Sequence, residues 1–126
     1  MKLLTQEIRK RLPKLYATEK LPIQEKVIVA KFFTPDSSWT WYAVEFDGED
    51  TFFGLVEGFE SEWGYFSLSE LESVTGPLGL HVERDICWSP KKFGEMIEDW
   101  WGSSFTSEES RKEAKQHEVR NDGPLL

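Results

Sequence analysis

Leu4, Ile8 and Leu12 recur at helical spacing between Thr5, a residue suited to capping, and Pro13, which ends a helix. The pattern predicts a short N-terminal helix with Glu7 in its first turn, docked on a sheet through its apolar side. Residues 14–25 hold Pro22 and mixed polarity and read as a loop. Four strand-like runs follow: Lys26–Phe33, Trp39–Phe46, Thr51–Gly58 and Glu62–Leu68. The segments between them, Thr34–Ser38, Asp47–Asp50 and Phe59–Ser61, are short and rich in turn residues, which favours an antiparallel meander.

Strict alternation then assigns faces. With Phe46 opposite Thr51, one face carries Trp39, Trp41, Ala43 and Glu45 beside Phe52, Gly54, Val56 and Gly58. The other carries Thr40, Tyr42, Val44 and Phe46 beside Thr51, Phe53, Leu55 and Glu57. Both are largely apolar. One is expected to pack on helices, and the face with Trp rings beside glycines is expected to form a shallow groove.

Ser69 and Glu72 have capping-box spacing for a short helix that Thr75–Gly79 breaks. Leu80–Trp88 reads as a fifth strand, with Val82, Arg84, Ile86 and Trp88 on one side. Ser89 and Pro90 then suit the cap and first position of a helix whose stripe is Phe93, Met96, Ile97, Trp100 and Trp101, with Gly102 as its stop. The expectation is one α+β domain over residues 1–102. It is an antiparallel four- to five-stranded meander sheet packed with N-terminal and C-terminal helices. Residues 103–126 are expected to form a polar helical or disordered tail.

Charge changes this picture more than composition does. The chain has 126 residues and a net charge of −8, unevenly distributed. Residues 1–31 hold eight Lys/Arg against three Asp/Glu, for +5, whereas residues 32–83 hold eleven Asp/Glu and no base, for −11. That block opposes direct nucleic-acid binding and favours a basic protein surface as partner. The basic N-terminal segment is expected to neutralise part of it inside the fold. The candidate partner-binding residues are Glu45, Asp47, Glu49, Asp50, Glu57, Glu60 and Glu62, with the aromatics Trp39, Trp41 and Trp63.

The expected chemistries are few. No Gly-rich phosphate loop, zincin motif or nucleophile elbow occurs, and no motif implies a cofactor. The only histidines, His81 and His117, lie far apart in the chain and read as structural or solvent-exposed. Cys87, between Ile86 and Trp88, reads as a buried inert thiol, and a lone cysteine cannot close an internal disulfide. The carboxylates at Glu45–Asp50 suit Mg²⁺ or Ca²⁺ by ligand type, but their spacing is not that of a calcium loop, so no metal site is assigned. No apolar run reaches membrane-spanning or signal-peptide length, so no membrane association is expected and the cytoplasm is the expected location.

The segments Lys31–Ser37, Trp39–Tyr42, Glu45–Val56 and Gly64–Glu72 together resemble a bacterial family known only as a domain of unknown function. The similarity runs from about Leu3 to Trp88. The resemblance implies a setting on plasmids and other mobile elements and carries no catalytic residues. The leading expectation is a non-enzymatic interaction module with an acidic surface, in one version a nucleic-acid mimic or host-defence antagonist. The alternatives are a metal-dependent hydrolase using the clustered carboxylates and a small-ligand module using the Trp39/Trp41 groove.

Overall fold

A computed structural model describes the backbone of residues 1–101 and side chains through Ile97. Helix α1 (Gln6–Arg11) is capped by Thr5, whose hydroxyl accepts from the Ile8 amide at 3.2 Å. A 3₁₀ turn (Ile23–Glu25) leads into β1 (Val27–Ile28) and β2 (Ala30–Phe33). The meander continues through β3 (Thr40–Phe46), β4 (Thr51–Glu57) and β5 (Ser61–Ser67). Helix α2 (Leu68–Ser73), β6 (Glu83–Arg84), β7 (Lys91–Lys92) and helix α3 (Phe93–Trp101) follow. The main sheet is antiparallel and five-stranded, in the order β5-β4-β3-β2-β6, so the fold is α+β. The expected tail at 103–126, with His117, lies outside the described residues.

Two cores sit on the two faces of the sheet. On one, Phe32, Trp41, Ala43, Phe46, Phe52 and Phe66 pack with Leu4, Leu12 and Leu71. On the other, Tyr42, Val44 and Leu55 pack with Ile28, Phe93, Met96 and Ile97.

Several boundaries differ from the sequence pattern, each for a local reason. The run Lys26–Phe33 divides at Val29, because Val27 and Ile28 pair with Lys92 and Lys91 while Ala30–Phe33 pairs with β3. That small ladder displaces the start of α3 from Pro90 to Phe93, whose amide donates to the Lys26 carbonyl at 2.9 Å. The cap of α2 is Ser67 rather than Ser69, with the Ser67 hydroxyl accepting from the Glu70 amide at 3.0 Å. The Leu80–Trp88 strand shortens to Glu83–Arg84, since the chain turns at Asp85, whose carbonyl accepts from the Trp88 amide. Cys87 is therefore exposed, not buried.

The largest difference is a β-bulge. The register between β3 and β4 shifts between Ala43 and Glu45, leaving Val44 as the extra residue. Phe46 consequently pairs with Phe52, on the Trp41 face, and Glu45 pairs with Phe53, on the Tyr42 face. Both side chains thus lie on the face opposite to the one strict alternation assigns.

Candidate functional site

The acidic residues do not form one cluster. The Asp47–Asp50 turn and the residues Glu57–Glu62 lie at opposite ends of β4, roughly 20 Å apart at strand rise. In and just before the first group, three carboxylates accept hydrogen bonds from the protein itself. Glu45 is 3% exposed, and its carboxylate accepts from the Tyr16 amide at 2.8 Å, the Thr18 amide at 3.0 Å and the Thr18 hydroxyl. Asp47 Oδ1 accepts from the amides of Glu49, Asp50 and Thr51 at 2.8, 2.9 and 3.0 Å. Asp50 accepts from the Ser69 amide at 2.9 Å and the Ser69 hydroxyl at 2.7 Å, which anchors the first turn of α2. Glu49 is exposed at the turn tip. Among the described residues, no three His, Cys, Asp or Glu side chains converge as a metal-binding group.

The basic segment meets this end of the sheet. Arg9 donates to the Gly48 carbonyl at 2.6 Å and lies over the Phe46 ring. Lys26, itself buried, donates to the Thr18 carbonyl and hydroxyl beside Glu45. Burial lowers its pKa, and the attraction of Glu45 and Glu19 opposes that shift. Glu57 is half-buried on the Tyr42 face, where burial raises its pKa against the pull of Lys31.

The amides of Glu49, Thr51 and Asp50 hold the exposed Asp47 carboxyl below the usual carboxylate range. A depressed pKa favours folding above the unfolded-state value of 3.8, and that contribution is lost as pH falls through the folded value. Asp47→Ala should therefore lower the urea midpoint at neutral pH. The gap to the parent chain should close in acid below pH ~4. A gap independent of pH would contradict this role of the charge.

An open site lies on the other face, next to β5. Trp39 and Trp41 stack at 5.9 Å between ring centroids, and Phe59 meets Trp39 edge-on at 5.5 Å. They border a groove of ≈ 660 Å³ whose far wall is Val74–Pro77. Gly64 forms part of its floor, where a side chain would meet nothing within 4 Å. Glu62 and Glu70 stand in the lining, and Glu60 is exposed in the adjoining turn. Two apolar side chains stand almost fully in solvent on the neighbouring loops: Phe59 is 94% exposed and Leu78 is 81% exposed.

Asp36 holds the far wall. Its Oδ2 accepts from the Leu78 amide at 2.7 Å and from the Leu80 amide at 3.4 Å. Gly76 lies against it, and a Cβ there would overlap the Asp36 carboxylate and displace it from its present position. Asp36→Ala should speed amide exchange at Leu78 and Leu80 and cost ~1–3 kcal/mol in stability. Unchanged protection of both amides would show that the wall stands without it.

Of the ten candidate residues, Trp39, Trp41, Glu62 and Trp63 border the groove, with Glu60 on the adjoining turn. The Trp63 ring lies on the opposite face, against Phe93 and Phe53. Glu70, Gly64, Phe59, Leu78 and Asp36 were not singled out by sequence. Gly64 between Trp63 and Tyr65 was the one available signal, since a glycine inside an aromatic strand marks open or close-approach space.

A family model described as a protein of unknown function (DUF2958) matches residues 3–98. No curated protein and no solved structure matches the chain.

Proposed function

We propose, for a chain that belongs to the DUF2958 family and so inherits no assigned activity, a non-enzymatic role as a protein-interaction module of the cytoplasm. The Trp39/Trp41 groove takes an apolar anchor from a partner segment that carries Lys or Arg on either side of it. The observation that supports this most is the pairing of an aromatic groove with an acidic border. Trp39, Trp41 and the exposed Phe59 and Leu78 supply apolar contact, while Glu60, Glu62 and Glu70 supply negative charge around it. Aromatic anchors surrounded by a polar rim are the usual anatomy of a protein interface.

The exposed Phe59 and Leu78 favour a macromolecule over a small ligand, since such apolar tips gain from a surface that extends beyond the groove. The carboxylate-based hydrolase has little support, because Glu45, Asp47 and Asp50 are engaged as internal acceptors. A nucleic-acid mimic carried by a mobile element is a narrower form of the docking reading, and its support is the −11 charge of residues 32–83 alone. No helix among the described residues is long and apolar enough to cross a membrane.

The test is a tryptophan-fluorescence titration with synthetic peptides that place one leucine or tryptophan between lysines, against the same peptides with glutamates. The lysine set should bind saturably and weaken with added salt. Trp39→Ala and the double change Glu62→Lys/Glu70→Lys should remove that binding. Equal binding of both sets, or none, would overturn the reading.

A further inference from the structure

We infer that the free edge of β5 pairs with the same edge of a second copy of this chain, joining two five-stranded sheets across a two-fold axis at Gly64. The inference is independent of the groove's partner. The hydrogen-bond phase of the β4–β5 ladder leaves this edge open. The Leu68 amide donates to the Asp50 carbonyl at 2.8 Å, and the Gly58 amide donates to the Glu60 carbonyl at 3.0 Å. Those two bonds bracket the strand and fix its alternation. Glu62, Gly64 and Phe66 exchange bonds with β4, whereas Ser61, Trp63, Tyr65 and Ser67 turn their backbone groups outward. Among the described residues no strand pairs on that side, since β5 ends the sheet order.

The edge also lacks the usual protections. Exposed edges are commonly blunted by proline, lysine, a bulge or short length. Here β5 runs for seven residues in unbroken register with β4, with neither Pro nor Lys in Ser61–Ser67. At the opposite edge, β6 is only two residues long. Seven residues extend about 24 Å, enough for a continuous ladder.

The strand's own sequence is suited to a second copy. Ser61-Glu62-Trp63-Gly64-Tyr65-Phe66-Ser67 is nearly palindromic about Gly64. Antiparallel self-pairing with Gly64 on the axis sets Trp63 of one copy opposite Tyr65 of the other, and Ser61 opposite Ser67. Aromatic and hydroxyl cross-strand pairs are both favourable. All four residues have outward backbone groups, so each of these pairs closes two hydrogen bonds. Glu62 and Phe66 are the one unlike pair, and Glu62 is exposed and can turn to solvent. A two-fold operator needs this kind of self-complementary patch.

The test uses the full chain in sedimentation equilibrium over a hundredfold range of concentration. The mass should move from 14.7 kDa toward twice that value. Added salt should strengthen the dimer, because each copy carries −8. That sign is opposite to the one expected for a lysine-rich peptide in the groove, so the two readings fail separately. Tyr65→Pro removes an outward amide that β4 does not use and should hold the chain at monomer mass. Gly64→Lys sets two like charges face to face at the axis, about 4.5 Å apart between α-carbons, and should do the same. Its side chain points into open space, so the monomer fold tolerates it. Amide exchange at Trp63 and Tyr65 should slow with concentration in the parent chain and not in Gly64→Lys; in Tyr65→Pro, which lacks the second amide, Trp63 alone should show no slowing. A parent chain that stays monomeric throughout, or a dimer that both folded variants retain, would overturn the inference.

Discussion

Gly54→Ala is expected to be the most damaging single methyl in the described structure, costing about 4 kcal/mol or more and leaving little folded protein. Gly54 pairs with Ala43, next to the bulge at Val44, and lies against the Tyr42 carbonyl. A methyl on Gly54 would overlap that carbonyl oxygen, and the obstacle is backbone rather than a movable side chain. Relief requires breaking the register that places Phe46 and Glu45 on their faces. The neighbouring Gly64 supplies the control. It pairs with Gly54 across β5, yet a methyl there meets nothing within 4 Å. Gly64→Ala should be neutral or stabilising by ~0.5–1 kcal/mol, because alanine has less chain entropy to lose. Urea unfolding of both variants checks the pair. Equal stability of the two would contradict the bulge geometry.

Glu45→Ala is expected to cost ~3–5 kcal/mol, the scale for removing one member of a buried charged network. The carboxylate ties the 14–21 segment to the sheet through Tyr16 and Thr18, and Thr18 links it to Lys26. Tyr16 has φ of 70°, a conformation unfavourable for a residue with a side chain, and the hydrogen bond its amide donates to Glu45 holds it there. Removing the carboxylate leaves the Tyr16 and Thr18 amides without their acceptor and takes from the Lys26 ammonium one of the two acidic charges that stabilise it. The sign of the pH effect follows. Burial lowers the pKa of Lys26, so its charged form opposes folding at low and neutral pH. That penalty fades as pH rises from the folded pKa to the unfolded value of 10.5. The deficit of Glu45→Ala should therefore shrink toward high pH, and adding Lys26→Met should recover part of it at neutral pH. Glu49→Ala, at an exposed position four residues away, should change stability by less than ~0.5 kcal/mol.

These two residues also show where sequence reasoning holds and where it stops. The meander was legible because turn chemistry separates β2 through β5: proline and serines at 35–38, the Asp47–Asp50 turn and the short Phe59–Glu60 link. The apolar stripe beginning at Phe93 and Met96 was legible for the same local reason. The bulge was not, because Ala43-Val44-Glu45-Phe46 carries no mark of an extra residue. One unpaired residue moved Glu45 from a presumed outward acid to a buried anchor. Long-range pairing was equally hidden: the β1–β7 ladder joins segments more than sixty residues apart and resets the start of α3. Half of the groove could be read, since Trp39 and Trp41 alternate onto one face with glycines beside them. Its far wall could not, because it depends on the contact of Asp36 with Leu78, 42 positions along the chain.

Part of the charge asymmetry is internal to the fold. Arg9, Lys26 and Lys31 meet the Gly48 turn, the surroundings of Glu45 and the surroundings of Glu57. The basic segment thus offsets part of the acidic block within the fold. The acids that border the groove, Glu62 and Glu70, have no described ion pair with it.

The most direct test of the groove as a docking site is amide and indole chemical-shift mapping of the full chain. The probe is a lysine-flanked leucine or tryptophan peptide, compared with its glutamate-flanked counterpart. Saturable shifts are expected at Gly64, at Val74–Gly76 and at the Trp39 and Trp41 indoles with the lysine peptide only. Shifts confined to Asp47–Asp50, or no saturable shift at the groove, would contradict docking there.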